Sequence, residues 1–184
     1  MVGILVCLFT AAGINLTAEP VETSENDHRV IDARYEYSLK AQYLERFIRF
    51  ISWPEMAIEE PRKFVIAVIG GNPFDPYLSE LAAERRIKDR EVEIWIIDHV
   101  AQIDGCDVLF IASSERKQLE RILETTKDTA ILTVSENPGF AARGVHINFF
   151  TEDQYIRFEI NVKALKSAGL EPSSRLLRLA RIID

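Results

Sequence analysis

By position, Ser113 is the residue most like a catalytic nucleophile. It follows an apolar run, residues 108–112, and precedes a segment with Leu119, Ile122 and Leu123 on one side and Glu, Arg and Lys on the other. A nucleophile elbow places its serine at such a strand-to-helix turn, but needs flanking glycines, and Ile111-Ala112-Ser113-Ser114-Glu115 has none. Ser113 therefore reads as a helix N-cap, with Glu115 complementing the positive end of the helix dipole. The three histidines, His28, His99 and His146, show no paired ligand spacing, and there is no CxxC, so no metal site is expected. Gly70-Gly71 belongs to neither a GxGxxG nor a Walker loop, and before Asn72-Pro73 it reads as a turn. The expectation is a protein that is not an enzyme and carries no cofactor.

One constellation remains. Residues 70–74, 113–115 and 135–139 should all leave the C-terminal edge of a parallel sheet, where open α/β sheets bind ligands. Asn72, Phe74, Ser113, Ser114, Ser135 and Glu136 are the candidate contacts for a small ligand or partner. Three well-capped turns would look the same in sequence.

The elements that place these loops follow from periodicity. Residues 108–112 and 130–134 are apolar runs joined by a short amphipathic segment, a strand–helix–strand unit whose strands should be neighbours. Residues 64–69 and 92–97 read as two earlier strands, with a helix on Tyr77, Leu78, Leu81 and Ala82 between them. Asn72 as N-cap and Pro73 at the first helical position would start that helix. Residues 99–105 form a connector or short helical turn. From Tyr35 to Ser52, Leu39, Tyr43, Phe47 and Ile51 recur at helical spacing, broadened by Leu44, Ile48 and Phe50, with Lys40, Glu45, Arg46 and Arg49 opposite. Trp53-Pro54 ends this helix. Its apolar stripe looks wider than one sheet face requires, so part of it, with Trp53, is a candidate contact for a second subunit or a partner. Residues 145–150 and 155–160 flank a hairpin signal. A short helix, 162–168, ends at Gly169. Ser173 or Ser174 should cap a last helix carrying Leu176, Leu179, Ala180 and Ile183, with Arg175, Arg178 and Arg181 on one polar face; Arg175 is the last candidate contact. The fold class is α/β: a three-layer sandwich with a mostly parallel central sheet and a C-terminal antiparallel hairpin.

The 184 residues make about one domain, and a net charge of −7 without any basic run argues against nucleic acid. Residues 1–18 carry no charge, and residues 2–9 are an apolar run ahead of Thr17-Ala18, which resembles a signal peptide although no Lys or Arg follows Met1. The run is too short to span a bilayer. Ile4-Leu5-Val6 before Cys7 lacks the small residues of a lipoprotein signal. Residues 19–32 read as a flexible acidic leader, and residues 33–184 as a single domain. With the signal removed, Cys106 is the remaining cysteine, and its place beside a buried-looking strand reads as a packed, inert thiol.

Several phrases, in order, resemble the YfiR family of bacterial periplasmic proteins (the DUF4154 domain). They are Phe47-Ile48-Arg49-Phe50-Ile51-Ser52-Trp53-Pro54, Gly70-Gly71-Asn72-Pro73-Phe74, Leu109-Phe110-Ile111-Ala112-Ser113-Ser114-Glu115, Ile131-Leu132-Thr133-Val134-Ser135-Glu136, Gly139-Phe140-Ala141, Ile147-Asn148-Phe149, Arg157-Phe158-Glu159-Ile160-Asn161 and Ser173-Ser174-Arg175-Leu176-Leu177-Arg178-Leu179-Ala180. The likeness runs over about residues 35–183. It implies an exported, periplasmic α/β sandwich that is usually dimeric. It also implies a regulator that binds the periplasmic domain of an inner-membrane diguanylate cyclase and represses it, lowering cyclic di-GMP. A small-ligand-binding module without cyclase control is the alternative. The family often pairs a first-strand cysteine with one matching Cys106; this chain has Ala67 at the corresponding position, so the resemblance implies no such bridge here.

Overall fold

A computed structural model describes residues 25–54 and 62–183, with side chains from Arg34 onward. The expected signal peptide lies outside the described residues. The first helix, α1 (Glu25–Phe50), starts within the stretch read as a leader, and at its far end the chain turns straight into a two-residue strand, β1 (Ile51–Ser52).

The centre is an eight-stranded sheet in the order β10-β8-β7-β6-β5-β2-β4-β3. Its strands are β2 (Phe64–Ile69), β3 (Arg86–Ile87), β4 (Arg90–Ile97), β5 (Val108–Ile111), β6 (Leu132–Ser135), β7 (Ile147–Glu152), β8 (Tyr155–Asn161) and β10 (Arg181–Ile183). β4, β2, β5, β6 and β7 run parallel in that spatial order, and β5 and β6 are neighbours, as the short crossover required. β2, β5 and β6 are buried throughout, as expected of strands covered on both faces. β7 and β8 form the antiparallel hairpin; its two-residue loop, Asp153 and Gln154, takes positive φ at both positions, the turn that matches strand twist. A separate antiparallel pair joins β1 to β9 (Glu171–Pro172).

Two apolar layers cover the sheet. On one face Leu44 and Phe47 of α1, Leu78 of α2 (Tyr77–Glu84), Leu165 of α4 (Val162–Ser167) and Leu176 of α5 (Ser174–Leu177) pack on Ile66, Phe110 and Val134. On the other, Leu119 and Ile122 of α3 (Leu119–Thr126) pack on Val65, Ala67, Leu109 and Ile111. This is the expected three-layer sandwich. Cys106 and Ala67 share the second layer, although the register partner of Ala67 is Leu109.

Four local expectations are corrected. Ser113 is not an N-cap: it is the first residue of a 3-10 turn, Ser113–Gln118, with Ala112 in the cap position, and α3 follows only at Leu119. Asn72 is not an N-cap: its Oδ1 accepts from the Phe74 N–H (3.0 Å), and α2 begins only at Tyr77. Phe74 delays the helix because its ring is core, edge-on to Phe110 (4.7 Å) and Tyr37 (5.5 Å). Ser173 does cap α5, accepting from the Leu176 N–H, but α5 ends at Leu177. The chain then re-enters the sheet as β10, parallel to β8, which pairs an edge that β8 would otherwise leave open. Arg175, Arg178 and Arg181 therefore do not share one helical face. Lys40, placed on the polar side of α1 by its type, is buried.

At the N-terminal end of the sheet Asp107 is buried and holds three elements together. Arg62 forks onto both its oxygens (2.7 and 3.0 Å), Arg90 donates to one (2.8 Å), and so does the Val65 N–H (2.8 Å). A buried carboxylate requires this level of compensation.

Candidate functional site

The strand order reverses between β2 and β5, the place where such sheets usually open a crevice. Here it is closed. Ser114 and Glu115 fold over Gly70 so tightly that a Cβ there would lie 2.7 Å from Glu115 Oε1 and closer still to Ser114 Oγ. Gly70 also has φ +88, so only glycine suits the position. The Ser114 hydroxyl accepts from the Gly71 N–H (3.3 Å) and donates to Glu115 Oε1 (3.0 Å). These residues seal the crevice.

The open space lies further along the same edge. β6 pairs with β7 only through Ser135, whereas β7 runs on to Glu152. Beyond the end of β6 is a cavity of about 540 Å³, roofed by α1 and bordered by residues 136–139. Its lining includes Glu36, Tyr37 and Lys40 from α1, Ser113 and Glu136 from the loops, and Asn148, Phe150, Glu159 and Arg181 from β7, β8 and β10. The volume lies within the range of small-molecule sites.

Its roof is an ion cluster. Lys40, only 5% exposed at its side chain, pairs with Glu136 (2.6 Å) and with Glu36 one turn back on α1. The Tyr37 hydroxyl donates to the other Glu136 oxygen (2.8 Å). Burial, and then the Glu136 carboxylate beside it, raise the Tyr37 pKa above its ordinary value, so the phenol stays a donor. The Lys40 ammonium lies 4.6 Å from the Tyr37 ring centre and 5.9 Å from that of Phe149. Along the floor Arg181 stacks over Phe150 (4.0 Å) and pairs with Glu152 (2.7 Å). Asn148 donates to Glu159 Oε1 and to the Phe149 carbonyl (both 3.3 Å), while its buried Oδ1 has no partner. Turning the amide over would not help, because both neighbours are acceptors.

Of the eight candidate contacts, Ser113 and Glu136 line this cavity. Ser135 sits behind it, buried, its hydroxyl donating to the Ile111 carbonyl (2.9 Å). Phe74 lies in the core beneath Tyr37. Asn72 and Ser114 serve the turn around Gly70. Trp53 packs on Phe64 (5.8 Å) beneath the Lys88 ammonium (5.0 Å), at the sheet's other end, and Arg175 is exposed on α5. Glu36, Tyr37, Lys40, Asn148, Glu159 and Arg181 were not candidates in the sequence. One signal existed for Lys40: it stands four residues before Leu44 and eight before Ile48, on the buried stripe, with Glu36 four residues before it. No comparable signal pointed to Arg181, whose place depends on β10 joining the sheet.

Among the described residues no group of three or more His, Cys, Asp and Glu side chains is placed to hold a metal ion, and no helix is long and apolar enough to cross a membrane. The fold and site define a three-layer α/β domain with a polar cavity at the C-terminal edge of its parallel strands. The chain belongs to the DUF4154 family, described as YfiR/HmsC-like, which matches residues 37–181. No curated protein matches it. Among solved structures it is similar to the ABC domain in complex with L-Trp from Streptococcus pneumonia, with a TM-score of 0.55 and 10% identity over 78% of this chain. The chain spans about 60% of that structure's length, and the likeness shows the fold alone.

Proposed function

We propose that this protein is a periplasmic signalling regulator that acts by binding the periplasmic domain of an inner-membrane sensor, a diguanylate cyclase, and repressing it. The observation that carries this reading is membership of the YfiR/HmsC-like family over residues 37–181. In this reading the chain is exported through its N-terminal segment, works as a homodimer, and acts by binding rather than turnover. Repression requires only that the regulator bind the inactive sensor better than the active one. About 1–3 kcal/mol of such coupling gives a 5–150-fold effect. The Lys40–Glu136 pair ties α1 to the loop after β6, so occupancy of the cavity would be felt at α1. The same helix borders an apolar groove with Tyr43, Phe50 and Phe158, beside the exposed Leu179.

Deleting the gene and restoring it tests the reading. Deletion should raise cyclic di-GMP and biofilm, and complementation should lower both. If neither changes, and pull-down from membranes yields no signalling receptor, the repressor reading is wrong. The cavity supports the second reading, a small-ligand-binding module without cyclase control.

A further inference from the structure

The groove beside α1 joins an apolar floor to charge of one sign. It encloses about 470 Å³ between α1, β8 and α5, with Tyr43, Phe50, Phe158 and Leu176 in its lining. Leu179 borders it and is 72% exposed. Ile182, in register with Ile160 and so on the same sheet face as Phe158, is 44% exposed. Apolar surface gathered in one place in this way marks a contact site. Glu45 is the one acidic residue of the lining, and it is already taken by Arg49 (2.8 Å) and Arg85 (3.6 Å). Arg85 also borders the next hollow, beside Glu80 and Glu84 of α2, so its charge is shared there. Arg46 lines the groove and is exposed, and its neighbours at i±3 and i±4 on α1, Gln42, Tyr43, Arg49 and Phe50, include no carboxylate. Arg175 and Arg178, each one residue before a groove leucine, are exposed as well. Among the described residues none of these three arginines is in a salt bridge. The chain as a whole carries −7, so this excess of positive charge is a local arrangement and not a result of composition.

We infer that this groove docks an acidic amphipathic helix of the partner protein. The apolar side of that helix lies on Tyr43, Phe50 and Leu179, and its carboxylates pair with Arg46, Arg175 and Arg178. A helix laid in a groove buries residues at i, i+3, i+4 and i+7 and leaves the flanking positions for charge. Arginine suits the rim, because its planar fork meets a carboxylate with two N–H donors. A second copy of this chain is a poor occupant, since a two-fold contact would set the same arginines against one another. A lipid surface is also a poor occupant, since the apolar floor is concave and a bilayer takes apolar groups that project into it. The inference deepens the proposed function by giving the contact with the sensor its chemistry, and rests on that reading for the identity of the partner alone.

The probe is a designed helical peptide with leucine at i, i+3, i+4 and i+7 and glutamate at the flanking positions, labelled with a fluorophore and titrated with the purified protein. Anisotropy should show binding with Kd of about 10–100 μM, weakening as salt is raised. The same peptide with glutamine for glutamate should bind at least about tenfold more weakly, and the version with lysine should not bind. Leu179→Asp should abolish binding with an unchanged melting temperature, because the side chain it replaces is exposed. Arg46→Glu/Arg178→Glu, also at exposed positions, should lose the glutamate peptide and gain the lysine one. In cells the same double variant should fail to restore what deletion of the gene changes. No anisotropy change at about ten times the upper Kd would overturn the inference. So would equal binding of the lysine peptide by wild type, or unchanged affinity in both variants. Tighter binding to phosphatidylglycerol vesicles than to the peptide, lost in the same variants, would put a lipid surface in the groove instead, and a homodimer that Leu179→Asp disperses in sedimentation would put a second copy there. If deletion of the gene leaves cyclic di-GMP unchanged, the repressor reading falls while the peptide titrations still decide the groove, so the two failures are distinct.

Discussion

Replacing Lys40 by Met removes the cation of the roof cluster while keeping most of the side chain's length, so packing against Tyr37 and Phe149 changes little. What remains is Glu136, its side chain 14% exposed, facing Glu36 across the space Nζ had filled. Breaking a buried pair from one side costs about 3–5 kcal/mol. Two features reduce that here. Glu136 keeps the Tyr37 hydroxyl at 2.8 Å, and the side chain of Glu36 is 40% exposed and turns to water. The expected loss is therefore about 2–3 kcal/mol. The double variant Lys40→Met/Glu136→Gln removes the stranded charge along with its partner and should recover all but about 1 kcal/mol. Urea unfolding followed by the fluorescence of Trp53 and Trp95 measures both, as a shift of midpoint at constant slope. A loss below about 0.5 kcal/mol for Lys40→Met, or a double variant less stable than the single one, would refute the account of the roof as a buried ion cluster.

The other predictions concern the core. Burial lowers the His146 pKa to about 4, and its Nδ1 accepts from the Thr133 N–H (3.1 Å), a contact the imidazolium could not make. The folded pKa lies below the unfolded value of about 6.5, so the stability His146 contributes is present above that value and is lost as pH falls toward 4, by about 3 kcal/mol in all. Unfolding titrations of wild type and His146→Gln between pH 7 and 4 should show a shallower pH dependence in the variant. Burial, then the neighbouring Asp107 carboxylate, push the Cys106 thiol up to about 12, so native protein should resist thiol reagents that label it quickly in denaturant; fast labelling of native protein would contradict this. Phe47 is fully buried, its ring 4.8 Å from Phe158 and 5.5 Å from Phe149, so Phe47→Ala should cost about 3–5 kcal/mol in denaturant unfolding. A small loss of stability with weakened self-association would instead place the ring at an interface.

Much of the fold was legible because short, uniformly apolar runs admit few alternatives. Residues 64–69, 92–97, 108–112 and 130–134 read as strands, within a residue or two of the observed ones, the amphipathic segments after the first and third read as helices on the faces, and the short link between β5 and β6 made them neighbours. The family was legible too, since phrases spread from Phe47 to Ala180 carry it in order. The cavity was not. Sequence placed three loops at one edge, but whether the gap between two of them stays open depends on side-chain volume in three dimensions. Ser114 and Glu115 fill the space over Gly70, while the early end of β6 leaves room beside Glu136. Lys40 illustrates the limit. Residue type marks a lysine as solvent-facing, and burial becomes tolerable only when carboxylates from the same helix and from a loop 96 residues away converge on it. Arg181 is the same case at the other end of the chain. Its helical spacing with Arg175 and Arg178 was real, but β8 offered an unpaired edge, and satisfying backbone hydrogen bonds there outweighed one more turn of a short helix. Local pattern determines which elements form; long-range pairing of backbone and charge decides where they end and what they enclose.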